Sequence, residues 1–214
     1  MIHTFDKVNY EAICDKLAAM DANLAHIIQT YGYPPMWSRP NTFESLVHII
    51  LEQQVSLASA LSALNKLRER VQLITPTRVL LLTDAELKEC YFSRQKSAYT
   101  RYLAEAIISG QIELAAFEQM TDDEIRKQLI ALKGIGNWTV DVYLMFALQR
   151  ADHFPVGDLA IVNAIKILKG LPKETPKEDL VVIAQQWSPY RTVASMMLWH
   201  YYLSKPKTGA LKKL

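Results

Sequence analysis

The stretch LKGIGNWT (Leu132–Thr139) lies between two segments with helical hydrophobic spacing, and it decides how the chain is interpreted. Its two glycines flank one apolar residue, which allows a sharp turn between helices. Such a turn exposes backbone N–H groups at the start of the next helix, where the positive helix end favours a phosphate. A plain helix–turn–helix corner is the commoner reason for a glycine pair. The missing P-loop Lys-Ser pair argues against nucleoside triphosphate chemistry.

A second loop, DHFPVGD (Asp152–Asp158), follows one helix later and leads into an apolar helical segment. Asp158 stands where an N-cap is expected, and the helix dipole there keeps a carboxylate ionised. The two roles are compatible, because a capped carboxylate is a poor acid but a durable anion. Asp141 is the second candidate carboxylate, with pairing to a basic neighbour as the alternative interpretation, and Glu52 is expected to be solvated.

Helix-start patterns recur along the chain and predict an all-α fold of about ten helices. The predicted capping boxes are Asn41/Glu44, Thr83/Glu86, Thr121/Glu124 and Thr175/Glu178. No segment alternates strictly between apolar and polar residues, and 7 glycines and 9 prolines are few for a turn-rich β protein.

Charge is distributed unevenly along the 214 residues. Residues 1–160 carry 15 Lys and Arg against 19 Asp and Glu, whereas residues 161–214 carry 9 against 3. The basic C-terminal quarter indicates either a polyanion-binding surface or a solvated lysine-rich tail (residues 205–214). No apolar run suits a membrane span and no secretory signal is evident, so a cytoplasmic protein is expected, nucleoid-associated if bacterial.

These motifs resemble the helix-hairpin-helix DNA glycosylase superfamily. ILEQQVS (50–56) and WSPYRT (187–192) are most similar to the 3-methyladenine DNA glycosylase II branch, and the resemblance extends from Trp37 to Tyr202. It implies two helical lobes with a cleft between them and a helix-hairpin-helix motif near 130–150. The whole chain, 1–214, would be a single glycosylase domain, with one lobe about 1–40 plus 165–214 and the other about 41–164.

The resemblance also implies roles for particular residues. Asp158 matches the catalytic aspartate, and Gln54 falls near the position that fills the gap left by a flipped nucleotide. The expected phosphate contacts are Gly134, Gly136 and Thr139, and a bulky residue at Gly136 would be strained if its φ were positive. Backbone carbonyls expected to hold a monovalent cation belong to Ile130, Leu132 and Ile135. Candidate base-pocket aromatics are Trp138, Trp199, Tyr143 and Trp37, of which the last two suit core packing better.

The expected activity is monofunctional excision of alkylated bases, such as 3-methyladenine and 7-methylguanine, from damaged double-stranded DNA by a monomer. Bifunctional members place a lysine where this chain has Trp138, and Lys133 lies on the wrong side of the hairpin glycines. The only cysteines, Cys14 and Cys90, cannot form the four-cysteine iron–sulfur site of several members, so no required cofactor is expected. The alternatives are excision of hypoxanthine, etheno or mismatched bases, and a non-catalytic DNA-binding module.

Overall fold

The computed structural model describes residues 3–205, and within them it contains twelve α-helices, two 3-10 helices and no strand. The predicted all-α fold is therefore confirmed. The α-helices are α1 (Tyr10–Met20), α2 (Ala22–Tyr31), α3 (Phe43–Glu52), α4 (Leu57–Val71), α5 (Pro76–Leu80), α6 (Asp84–Glu89), α7 (Arg94–Ile108), α8 (Asp122–Ile130), α9 (Asn137–Phe146), α10 (Leu159–Leu168), α11 (Lys177–Ala184) and α12 (Arg191–Ser204). The 3-10 helices span Leu114–Glu118 and Gln185–Trp187.

The chain divides into two compact units. The first comprises residues 38–148 and contains α3 to α9. Helix α3 packs against α4, α7 and α9, while α8 packs against α9. Leu46, Ile49 and Ile50 on α3 are completely buried, and each such side chain contributes about 1.5–3 kcal/mol of hydrophobic stabilisation. Helix α3 is therefore the central helix of this unit.

The second unit is built from residues 3–37 and from the chain after residue 148. Helix α12 is its centre and packs against α1, α2 and α10. The sequence placed this boundary near residue 164, but residues 149–164 belong with the terminal segments. Backbone hydrogen bonds explain the difference, because Phe5 N–H donates to Gln149 and Ala151 N–H donates to the carbonyl of His3.

Local capping patterns were predicted with mixed success. The capping boxes that begin at Thr83 and Thr121 are present with both reciprocal hydrogen bonds. Helix α3 is capped by Thr42 instead of Asn41, since Thr42 accepts from the N–H of Ser45. The predicted box at Thr175 is wrong, because α11 begins after Pro176 without a side-chain cap and the Thr175 hydroxyl donates to a preceding carbonyl.

No helix within residues 3–205 has the length and apolar character that a membrane crossing requires. Both cysteines are buried free thiols. The lysine-rich tail that the sequence singled out, apart from its first residue, lies outside the described residues.

Candidate active site and nucleic-acid interface

Asp158 is the N-cap of α10, as its position in the sequence predicts. Its Oδ1 accepts hydrogen bonds from the backbone N–H groups of Ala160, at 2.9 Å, and Ile161, at 3.1 Å. The same oxygen accepts a third from the indole Nε1–H of Trp199, at 3.0 Å. Three donors on one oxygen, at the positive end of a helix, stabilise the negative charge and fix the direction of the carboxylate.

Trp199 thus has a contact that the sequence did not indicate. Its N–H donates to Asp158, and the base-pocket role of its ring stays a prediction. The tryptophan is half-buried and lies on α12, 41 positions further along the chain. An indole N–H is a donor only, so it pairs with a carboxylate oxygen as acceptor.

The loop that leads to Asp158 is tied down by an ion pair. Arg191, the first residue of α12, donates from Nε to Asp152 Oδ1 at 2.7 Å and from Nη2 to Oδ2 at 2.9 Å. Ser188 adds a hydroxyl donor at 2.9 Å. Burial would raise the pKa of Asp152, but the hydrogen bonds and charge of Arg191, together with Ser188, hold that pKa below its ordinary value.

Thr192, completely buried, is the second anchor of the same loop. Its hydroxyl donates to the carbonyl of Arg150 at 2.6 Å and accepts from the N–H of His153 at 3.0 Å. The first turn of α12 thus fixes the loop, and Trp199, two turns further along the same helix, holds the Asp158 carboxylate. The motif WSPYRT contains Arg191 and Thr192, but the sequence alone indicates no role for either residue.

The glycine-containing hairpin joins α8 to α9 in the first unit. Gly134 has φ +94°, and a Cβ atom there would lie 2.0 Å from Cγ of the Tyr99 ring. Gly136, in contrast, has φ −106° and open space around its Cα. The positive φ considered for Gly136 is therefore wrong for that residue and belongs to Gly134, where only glycine fits both the backbone and the ring.

Gly136 is the N-cap of α9, and no side chain caps this helix. Gly136 is exposed, so an anion can approach the first turn of α9 closely. Thr139, however, is only 2% exposed, and its hydroxyl accepts from Gln53 Nε2 at 2.9 Å. The hydroxyl of Thr139 is thus engaged within the protein, and a phosphate contact at Thr139 stays a prediction.

The three carbonyls expected to hold a cation follow one another around the hairpin. Ile130 ends α8, and the Leu132 carbonyl accepts from the N–H of Ile135 at 3.1 Å, which leaves that oxygen one further lone pair. A cation bound by these oxygens stays a prediction. Separately, no cluster of three or more His, Cys, Asp or Glu side chains suited to a metal occurs within residues 3–205.

The remaining aromatic candidates differ in accessibility. Trp138 is half-buried in the first turn of α9, and Trp37 is half-buried in the proline-rich segment, residues 32–40. Tyr143 is completely buried, with its hydroxyl donating to Asn41 Oδ1 and its ring edge-on to Phe117. Core packing thus accounts for Tyr143, and Trp138 is the more accessible candidate of these two aromatics on α9.

Two acidic residues weighed from sequence have structural partners. Asp141 accepts from Arg126, as its alternative interpretation anticipated. Glu52 was expected to be solvated, but it is only 8% exposed and forms a two-point ion pair with Arg39. The nearby His48 loses solvation on burial, which lowers its pKa despite the opposing charge of Glu52. The carboxylate of Glu52 thus anchors the proline-rich segment to α3.

Gln54 lies in the turn between α3 and α4. It has φ +57°, an uncommon conformation for a non-glycine residue, and it is exposed. Strain of this kind costs of order 1–3 kcal/mol and is concentrated at functional sites. Its position is compatible with the gap-filling role inferred from sequence, which stays a prediction.

Comparisons with known proteins identify the family. Residues 47–189 match the model of the HhH-GPD superfamily base excision DNA repair proteins. The chain is 30% identical to DNA-3-methyladenine glycosylase 1 of Schizosaccharomyces pombe, over 86% of this chain and 83% of that protein. It is 29% identical to YfjP of Bacillus subtilis over 83% of this chain, but spans only 64% of that relative.

The solved structures include a similar fold bound to DNA. S. pombe 3-methyladenine DNA glycosylase Mag1, in complex with abasic DNA, superposes with a TM-score of 0.82 at 30% identity. The match covers 88% of this chain and 95% of Mag1. The family model covers well over half of the chain, and the similarity to Mag1 extends over most of both proteins. This chain therefore belongs to the HhH-GPD superfamily of base excision DNA repair proteins.

Proposed function

We propose that the chain is a monofunctional DNA glycosylase that excises alkylated bases from double-stranded DNA. The observation that carries the proposal is the Asp158 carboxylate, held by two backbone N–H groups and by the indole of Trp199. The 3-methyladenine glycosylases among its relatives support the choice of alkylated bases. Since a base within a duplex is out of reach, the damaged nucleotide must first rotate out of the stack.

The chemistry follows from the charge that develops on the sugar. Cleavage of the N-glycosidic bond leaves positive charge on the deoxyribose, as in other glycoside hydrolysis. Asp158 stabilises that charge, and its preorganised position means that little reorganisation is needed during the reaction. Water then adds to the sugar, its proton passes to solvent or to the carboxylate, and the products are the free base and an abasic site.

N-alkylation makes the leaving base cationic, so it departs without a strong general acid. Trp138 is the candidate aromatic for recognising such a base through a cation–π contact. Replacing Trp199 would test base recognition less selectively, because it also removes a hydrogen bond to Asp158.

Phosphate binding is assigned to the backbone of the hairpin. The uncapped first turn of α9, beginning at Gly136, offers N–H groups and the positive end of the helix. These contacts carry no base information, so they bind damaged and undamaged duplex alike. The carbonyls of Ile130, Leu132 and Ile135 would hold any monovalent cation there, which would add positive charge beside the phosphate.

The decisive experiment compares Asp158→Asn with the wild-type protein on duplexes that contain 3-methyladenine, 7-methylguanine, hypoxanthine or ethenoadenine. The substitution keeps the size of the side chain but removes its charge, so release of methylated bases should fall about 100-fold or more while duplex affinity persists. Asp141→Asn, which alters the other candidate carboxylate, is the matched control and should release bases at nearly the wild-type rate.

The same duplexes, separated on denaturing gels after incubation with the protein, test strand cleavage. The duplex should break only after alkali or heat, and borohydride should trap no covalent adduct. Near-native turnover by Asp158→Asn would refute the assignment of the carboxylate. Release of neutral lesions alone would replace the alkylated substrate with another base, and DNA binding without any release would favour a non-catalytic binding module.

A further inference from the structure

The turn after α3 has a defined geometry. Gln53 has φ −58° and ψ 120°, and Gln54 follows with φ +57°. The N–H of Val55 points back to the carbonyl of Glu52 at 3.5 Å. These values describe a type II turn, whose third position normally holds glycine or asparagine. Gln54 is therefore kept in a left-handed conformation by its surroundings.

Gln53 is the residue that connects this turn to the hairpin. Its Nε2 donates to the carbonyl of Gly134 and to the hydroxyl of Thr139, each at 2.9 Å. These acceptors lie 81 and 86 positions further along the chain, one in the glycine turn and one in the first turn of α9. Both protons of a single amide group thus hold the two sides of the hairpin.

Neighbouring contacts make this bridge stiff. Gly134 lies against the ring of Tyr99, so its peptide cannot shift toward that ring without collision. Thr139 is nearly completely buried, which removes water as a competing partner for its hydroxyl. The main chain of Gln53 is fixed as well, because its N–H donates to the carbonyl of Ile50 at the end of α3.

We propose that Gln53 is a positioning residue that couples phosphate binding at the hairpin to insertion of the Gln54 turn into the duplex. The inference rests on the proposed function, in which a nucleotide leaves the stack, and on the predicted role of Gln54 in filling the gap. When a phosphate fixes the first turn of α9, the amide bridge fixes the position of the turn that carries Gln54. Without the bridge, the hairpin still binds phosphate, but the turn is no longer held in register with it.

The test uses Gln53→Met, which keeps the length and the approximate volume of the side chain but lacks both donors. Thr139→Val breaks the bridge from the other side, whereas Thr139→Ser preserves the hydroxyl acceptor and should behave as the wild-type protein. Gln186→Met, at an exposed glutamine of the second unit, is the matched control for the substitution itself. Melting temperatures establish that each variant is folded.

The probe is a duplex with a tetrahydrofuran abasic analogue beside 2-aminopurine, whose fluorescence rises when stacking is broken. Gln53→Met and Thr139→Val should reduce this rise and weaken abasic-duplex binding about tenfold, the effect of losing one or two hydrogen bonds. Affinity for undamaged duplex should change less than about twofold, because the backbone contacts to phosphate persist. Neither readout requires base release, so failure of the proposed glycosylase activity would be seen separately.

A double-mutant cycle measures the coupling directly. With Gln53 present, the effects of Gly136→Val and Gln54→Ala on abasic-duplex affinity should be non-additive. In the Gln53→Met background, the two effects should add to within about 0.5 kcal/mol, roughly twofold in affinity. Equal non-additivity in both backgrounds would overturn the proposal. It would also be overturned if Gln53→Met weakened binding of damaged and undamaged duplex by the same factor, as a purely structural residue would.

Discussion

Replacing Gly134 with alanine places a methyl group where the ring of Tyr99 already lies. The added Cβ would be 2.0 Å from Cγ and 2.3 Å from both Cδ atoms of that ring. Non-bonded carbon atoms prefer separations of about 3.5–4.0 Å, so the ring or the hairpin must move by roughly 1.5 Å. The Tyr99 hydroxyl also accepts a hydrogen bond from Gln95, and that contact resists displacement of the ring.

Two contributions set the expected loss of stability. A left-handed backbone at φ +94° costs an L-residue roughly 1–2 kcal/mol, and the overpacking adds about 1–3 kcal/mol. The free energy of unfolding should therefore fall by about 2–5 kcal/mol, which corresponds to a decrease in melting temperature of roughly 10 °C for a chain of this size. Gly136→Ala should cost less than about 1 kcal/mol, because its φ is ordinary and its added methyl group meets no atom.

Thermal and urea unfolding of the two alanine variants measures this difference. Repeating Gly134→Ala in a Tyr99→Leu background separates the contributions, since removing the ring should leave only the backbone cost of about 1–2 kcal/mol. Equal stability of the Gly134 and Gly136 variants would contradict the predicted clash, as would an undiminished cost of Gly134→Ala when Tyr99 is absent.

Three further outcomes are expected. Trp199→Phe keeps an aromatic ring but removes the N–H donor to Asp158, so single-turnover base release should slow about tenfold or more with little change in duplex affinity; an unchanged rate would show that the hydrogen bond is dispensable. Gly136→Ser supplies a side-chain cap to α9, and it should weaken binding of damaged and undamaged duplex to the same extent in a salt-dependent binding assay. Burial raises the pKa of Asp21, but hydrogen bonds led by that from Lys169 outweigh it and hold the pKa below its ordinary value. The ionised Asp21 carboxylate therefore contributes its full stabilisation above the ordinary Asp pKa of about 4. This stabilisation is lost as the pH falls through the lower pKa that Asp21 has in the folded protein. Asp21→Asn should therefore make the free energy of unfolding less dependent on pH in the acidic range.

Local features of the fold were predictable because they depend on residues close in sequence. The N-cap at Asp158 and the capping boxes at Thr83 and Thr121 involve hydrogen bonds spanning two or three residues. The glycine hairpin was visible for the same reason. Where two neighbouring residues competed for one cap, as Asn41 and Thr42 did, sequence spacing could not rank them. Asn41 instead donates to the carbonyl of Leu114, a contact that only the tertiary structure reveals.

Two contacts at the candidate site could not be predicted from the sequence, for a common physical reason. Glu52 was expected to be solvated at a helix end, but Arg39 of the proline-rich segment lies next to it and forms an ion pair with it. The ring of Trp199 indicated a base-pocket role, but nothing in the sequence indicated that its N–H donates to Asp158. In both cases the deciding partner is remote in sequence or belongs to another structural element, and residue type alone does not identify the partner of a polar group.

The two sites proposed to act on DNA both lie at a helix N-terminus, but the terminus attracts a different anion at each. Each begins with a helix N-terminus, where unpaired N–H groups and the helix dipole attract negative charge. At α10 the protein supplies its own anion, because Asp158 caps the helix, and the proposed chemistry on the sugar uses this fixed carboxylate. At α9 the cap is Gly136, which has no side chain to offer, so the same attraction is directed at an anion from outside. The N-cap residue of each helix thus distinguishes the proposed catalytic carboxylate from the proposed phosphate anchor.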